Sequence, residues 1–286
     1  MLLRMKRGIT FILLFLLPLL ATAQNAIYTT NDSTAIESIL HKHSSRKYTN
    51  TGELALAVAQ EFLGSKYIAG TLENGYDEPL YISCTKLDCT TFVELVTAIT
   101  LSIKEKEASF PTVCRNLEKI RYRGGIRDGY ASRLHYTTWW IADNIRKGII
   151  EEVTGCSTHK HQQLQLDFMT THPESYAMLK NNTAMQARIA EHEIPFRGID
   201  IPYIPKEELN KGKEILHIRN GDIIALVTTI KGLDVTHVGF AFWKKGKLHL
   251  LHASSAKGEV IKDSTTLFNY QKNKSKQCGV RVIRIK

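Results

Sequence analysis

Near the C-terminus, two strand-like runs, 237–243 and 247–252, meet at Lys245-Gly246. Successive side chains of a strand point to opposite faces, and a two-residue turn ending in glycine joins such strands as a hairpin. With that turn fixed, the cross-strand partners follow: Trp243 faces Leu248, and Gly239 faces His252. His237 lies two residues before Gly239 and so shares a sheet face with His252. The two are diagonal neighbours, at a backbone separation of ~7–8 Å that two imidazoles can bridge. His249, at odd spacing from His252, points to the other face. A three-residue loop with a bulge would reverse this parity and separate the two rings. Similar patterning predicts further strands over 223–228 and 280–285.

The N-terminal half follows the helical period instead. Over 33–64, Ile36, Ile39 and Leu40 are followed by Leu54, Leu56, Val58, Phe62 and Leu63, with Ser33 as a cap and Gly64 as a stop. The stretch 66–87 is turn-rich and aromatic, as a loop lining a groove is. From Asp88 the pattern is again helical, with Phe92, Val96, Ile99 and Ile103 on one stripe, which places Cys89 in the first turn. Helices first and antiparallel strands second predict an α+β fold. No low-complexity linker divides 24–286, so a single domain is expected there. Residues 111–213 mix short helical runs with polar loops and are read as an insertion around the site.

The first 23 residues have the form of a signal peptide: Arg4, Lys6 and Arg7, an apolar run from Ile9 to Leu20, then Ala21-Thr22-Ala23. The apolar run falls short of the ~20 residues that span a bilayer. Cleavage therefore predicts an exported product, periplasmic or extracellular, with no stable membrane insertion. The formal charge of +10 drops by three when that segment leaves. The remaining cationic surface suits an acidic wall polymer, or simply solubility. Lys and Arg are scattered and no nucleic-acid-reading motif is present, which argues against a nucleic-acid partner. The five cysteines, Cys84, Cys89, Cys114, Cys156 and Cys278, are odd in number, so export leaves at least one thiol unpaired. Cys84-x4-Cys89 lacks the tight grip of a structural zinc site, and His159, His161, His172 and His192 are irregularly spaced. No metal or other cofactor is expected.

A nucleophilic cysteine works as its thiolate, and a helix N-terminus favours negative charge through free N–H groups and the macrodipole. Those same amides can hold an oxyanion. Cys89 as nucleophile, His237 as base and His252 as the group that orients the base form a triad in the general sense. Within the insertion, Arg133-Leu134-His135-Tyr136 and Trp139-Trp140 make the densest cluster of cation, imidazole and aromatic rings. It reads either as a substrate subsite, with arginine for a carboxylate, or as an amphipathic helix burying both tryptophans.

The runs "GSKYIAG", "LDCTTFVELV", "THVGFAF" and "LHASS", in that order, resemble the NlpC-type cell-wall cysteine peptidase superfamily, which is papain-like in layout. The most similar branch is described as N-acetylmuramoyl-L-alanine amidase-like and also shows "RLHYTTWW"-like and "GDII" runs. The resemblance covers about 62–103 and 220–256. It implies a papain-like fold, with the nucleophile at a helix start packed on an antiparallel sheet. It assigns Cys89, His237 and His252 as above, places Tyr67 beside the cysteine, and gives Asp88 a part in binding the substrate's peptide. The implied substrate is peptidoglycan or a muropeptide. The scissile amide is either the D-glutamate to diamino acid bond of the stem or the sugar-to-peptide bond. Simpler members have a much shorter path from cysteine to histidine, so 104–219 is expected to build part of the groove, with Arg133 and His135 contacting substrate. An acyltransferase or transpeptidase on the same fold, and a non-catalytic wall-binding protein, are the alternatives. The intact set Cys89, His237 and His252 argues against the second of these.

Overall fold

A computed structural model describes residues 26–73, 78–157 and 159–286; the expected signal segment lies outside them. The helices are α1 (Thr30–Ser44), α2 (Thr51–Gln60), α3 (Cys89–Lys104), α4 (Phe110–Arg121), α5 (Thr137–Arg146), α6 (Phe168–Thr171), α7 (Thr183–Glu193), α8 (Lys213–Leu216) and α9 (Leu267–Lys272). The strands are β1 (Ala26–Ile27), β2 (Lys66–Tyr67), β3 (Leu80–Tyr81), β4 (Lys86–Leu87), β5 (Ile150–Glu152), β6 (Lys160–Gln165), β7 (Arg197–Pro205), β8 (Ile223–Thr228), β9 (Val235–Lys244), β10 (Lys247–Ser254), β11 (Glu259–Thr266) and β12 (Gln277–Ile285). One large sheet runs β4-β2-β11-β10-β9-β8-β12-β7-β6, with β5 also paired to β12. Its neighbours are antiparallel except β2 and β4. No described helix is long and apolar enough to cross a membrane.

Period two divides the central strands between two cores. Val238, Phe240 and Phe242 of β9 join Leu251 and Ala253 of β10 in the larger core, beneath α2 and α3. Ala241, Leu248 and Leu250 face the smaller core, closed by Phe268 and Tyr270 of the α9 region. Helix α3 is buried almost throughout. Its Phe92 ring meets Phe240 edge-on at 5.6 Å, which seats the helix directly on β9.

The hairpin has the expected register, Leu248 opposite Trp243 and Lys247 opposite Lys244. Lys245 (φ 49°) and Gly246 (φ 71°) both occupy the left-handed region that a type I′ turn requires.

Two expectations need correction. The stretch 33–64 is two helices, because residues 45–50 break it: Asn50 caps α2 by accepting the Glu53 N–H at 3.0 Å. The cap of α1 is Thr29, and Ser33 lies inside the helix with its hydroxyl donating to the Thr30 carbonyl. Nor does 111–213 stand apart as helices and loops, since β5, β6 and β7 extend the sheet. These strands carry a weak pattern: β6 buries only Leu164, and β7 contains Pro202 and Pro205, residues that demote a strand reading.

Candidate active site

Helix α3 begins at Cys89 because Asp88 caps it. The Asp88 carboxylate accepts the Thr91 N–H at 2.7 Å, while the Thr91 hydroxyl accepts the Asp88 N–H at 2.9 Å, a reciprocal capping box. The N–H groups of Cys89 and Thr90 precede the first intrahelical bond and have no acceptor in the helix. The Val238 and Thr90 N–H groups face the sulfur. Val238 follows His237 on β9, so the thiol meets the strand one residue along from the expected base.

His237 Nε2 lies 2.6 Å from His252 Nδ1, and the rings stand at 89° with centroids 4.8 Å apart. The two approach this closely because of Gly239: a Cβ there would lie 2.8 Å from His252 Cβ and 2.9 Å from the Leu251 carbonyl. With Nε2 engaged, Nδ1 is the nitrogen that His237 has free for a proton. Behind the pair, His252 Nε2 stands 3.5 Å from Asp263 Oδ2 on β11. Tyr270 stacks on His237 at 28° and meets His252 edge-on, and the Lys274 ammonium sits 3.4 Å over the Tyr270 ring.

Burial dominates the electrostatics. It pushes the Cys89 thiol up to about 11, with the Asp88 charge adding to it and the facing N–H groups opposing. It also holds His237 down to about 3, assisted by His252 and Lys274. His252 is lowered by burial as well, against the opposing pull of Asp263. Burial thus favours the neutral form of both the Cys89 thiol and the His237 imidazole, and at Cys89 it outweighs the pull of the helix end.

A cavity of about 240 Å³ opens beside Asp88 and Thr90, lined also by Gly70, Glu94, His135 and Tyr176. Tyr67 is close enough for the Cys89 and Asp88 charges to add to burial in pushing its phenol up to about 12. Arg133 lines the cavity but is not free for a substrate carboxylate. Its guanidinium is 2.7 Å from Glu73 and 3.3 Å from Glu78, donates to the Leu72 carbonyl, and lies over the Tyr130 ring. His135 donates from Nε2 to the Tyr130 carbonyl at 2.8 Å and is kept neutral by burial and by Arg133. Trp139 and Trp140 are buried, as the amphipathic-helix reading expects. Beneath the cavity, Glu94 pairs with Arg121 at 2.7 Å, both fully enclosed. His249 is on the opposite face from His252, stacked on Phe242 and donating from Nδ1 to the Asp263 carbonyl. All five cysteines are free thiols.

Asp263, Tyr270 and Lys274 are the residues that sequence reasoning misses. Asp263 was within reach of the rule that finds His237: His252 pairs with Ile261, and Asp263 is two residues further on the same face. Finding it requires recognising β11 as a strand.

The chain resembles proteins of known structure across most of its length. An N-acetylmuramoyl-L-alanine amidase from Bacteroides uniformis ATCC 8492 is 39% identical, with a TM-score of 0.78, over 82% of this chain and 99% of that one. A Bacteroides fragilis protein, provisionally named a xylanase, is 43% identical, with a TM-score of 0.76, over 80% of this chain and 100% of that one. A Legionella pneumophila protein at 23% identity and a TM-score of 0.67 shares the fold, over 89% of this chain and 94% of that one. No curated protein matches. The profile of a family described as N-acetylmuramoyl-L-alanine amidase-like matches residues 57–280. The chain belongs to the N-acetylmuramoyl-L-alanine amidase-like family.

Proposed function

We propose that the chain is a cysteine hydrolase of peptidoglycan, working in the manner of a papain-like enzyme on the amide between the muramoyl lactyl group and L-alanine. The observation that carries this is the 2.6 Å contact of His237 and His252, on the strand whose Val238 N–H faces Cys89, at the start of α3. The family description supports reading the sugar-to-peptide amide, and not the stem bond, as the target.

On this reading, His237 Nδ1 takes the Cys89 proton as the sulfur attacks the lactyl carbonyl. The free N–H groups at the helix start stabilise the oxyanion. Collapse forms a thioester and expels L-alanine's amine, which receives the proton from His237. Water, deprotonated by the same imidazole, then releases the lactyl carboxylate and restores the thiol. Export would bring such an enzyme to its polymer.

A glycosidase, the reading suggested by the name of the Bacteroides fragilis relative, needs two carboxylates free to act as acid and base or nucleophile. The carboxylates at this cavity are otherwise engaged, Glu94 with Arg121, Glu73 with Arg133, and Asp88 in the helix cap.

Digestion of purified peptidoglycan and muropeptides, with new termini read by mass spectrometry, tests the proposal. Free muramoyl carboxyls paired with L-alanine amines are expected, and Cys89→Ala should abolish them. Release that survives Cys89→Ala, or new reducing sugar ends instead of amines, would overturn it.

A further inference from the structure

We propose that Asp263 is a positioning residue that sets the direction of the proton between the two imidazoles and so keeps His237 in the form that can act as a base. This rests on the assignment of Cys89 and His237 above.

A contact of 2.6 Å between two imidazole nitrogens holds one proton, and it can be arranged in two ways. In the first, His237 Nε2–H donates to His252 Nδ1. His237 Nδ1 is then a bare lone pair able to accept the thiol proton, and His252 carries its own proton on Nε2. In the second, His252 Nδ1–H donates to His237 Nε2. Both Nδ1 positions are then protonated, His237 has nothing to offer Cys89, and His252 Nε2 is a bare lone pair. The shared proton is the same in number in both states, so the choice rests on what faces His252 Nε2.

That nitrogen is buried, and among the described residues it has no close hydrogen-bond partner; the group it faces is Asp263 Oδ2, at 3.5 Å. A carboxylate only accepts hydrogen bonds, so it favours the state with a proton on His252 Nε2 and opposes the one with a lone pair there. The other groups that face the rings, Tyr270 and Lys274 from the α9 end, make no bond to it. Asp263 is itself fixed, since its Oδ1 accepts the Thr265 N–H at 2.8 Å and leaves Oδ2 aimed at the ring.

This anchoring makes the conservative substitution the damaging one. In Asp263→Asn, the Thr265 N–H still requires an oxygen, so the amide NH2 must take the place of Oδ2. It would then donate to His252 Nε2, drive both histidines to the Nδ1–H state, and disable His237. Asp263→Ala forces neither state.

The test compares wild type, Asp263→Ala and Asp263→Asn by long-range proton–nitrogen correlation spectra of the labelled histidines and by release from muropeptide, after thermal melts confirm folding. Nε2–H signals for His237 and His252 are expected in wild type, and Nδ1–H signals in Asp263→Asn. Release should fall on the order of tenfold to a hundredfold in the alanine variant and roughly a thousandfold or more in the asparagine variant. An asparagine variant as active as the alanine one, or one that keeps the Nε2–H signals, would overturn the proposal. If wild type shows no Cys89-dependent release, the hydrolase reading fails, while the spectra still decide the role of Asp263.

Discussion

The β9–β10 ribbon and the segment from Arg133 to Trp140 are both rich in imidazole, cation and aromatic rings, yet they use them in opposite ways. On the ribbon, His237 and His252 contact each other, and His237 Nδ1 is left without a partner inside the pair. In the other segment the cation and the imidazole are engaged by the surrounding protein: Arg133 by Glu73, Glu78 and Leu72, His135 by Tyr130. The difference teaches that a density of reactive residue types does not make a site. What distinguishes the two regions is whether the fold engages the imidazole fully or leaves one of its nitrogens to spare.

The strongest challenge to this comparison is Arg133→Met. If the guanidinium is structural, removing it strands the buried Glu78 carboxylate and frees the partly exposed Glu73, and the fold should lose about 3 kcal/mol. Urea unfolding measures the loss. A variant of unchanged stability whose KM for muropeptide rises instead would make Arg133 a substrate residue and bring the two regions closer in kind.

The pattern of what the sequence disclosed follows the same line. The pairing of His237 with His252 was legible because one turn, Lys245-Gly246, fixes every partner on the ribbon, and Cys89 was legible because Asp88-Cys89-Thr90-Thr91 announces a helix start. Asp263 was not, because β11 follows a longer connection at residues 255–258 and its register shifts between the His249 and Leu251 pairs. Arg133 was visible as a cation but not as a satisfied one. Its partners Glu73 and Glu78 lie some sixty and fifty-five residues earlier, in a stretch without periodicity to place them. Likewise the helix dipole was foreseeable at Cys89, whereas the burial that outweighs it comes from tertiary packing.

A smaller effect tests the electrostatic half of the comparison. His237, His252, His135 and His192 all sit below the ordinary imidazole range, burial being the first cause in each. As pH falls below about 6.5, the unfolded chain takes up protons on these residues more readily than the native one, so stability declines with falling pH. The decline continues down toward the native value, about 3 for His237. At pH 5, His237 alone should account for up to roughly 2 kcal/mol of the loss. Urea midpoints at pH 7 and pH 5 should therefore fall less for His237→Gln than for wild type. An equal fall would mean that this ring takes up protons in the native state as readily as in the unfolded one, and that burial does not hold it neutral.

The smallest expected effect belongs to His249, which probes sheet parity with nearly everything else held constant. It shares β10 with His252, lies three residues away and is also buried, but it projects from the opposite face, where Phe242 stacks on it. His249→Phe keeps the ring and the stacking and removes only the bond from Nδ1 to the Asp263 carbonyl, a loss of about 1 kcal/mol. Release from muropeptide should stay within about threefold of wild type, because that bond holds the Asp263 backbone and not the carboxylate facing His252. His252→Phe, an equal change in shape on the other face, should by contrast remove the group that orients His237 and cut release by about a hundredfold or more. Should the two variants lose activity alike, face would not matter, and the site would have to be rebuilt around the strand as a whole and not around one side of it.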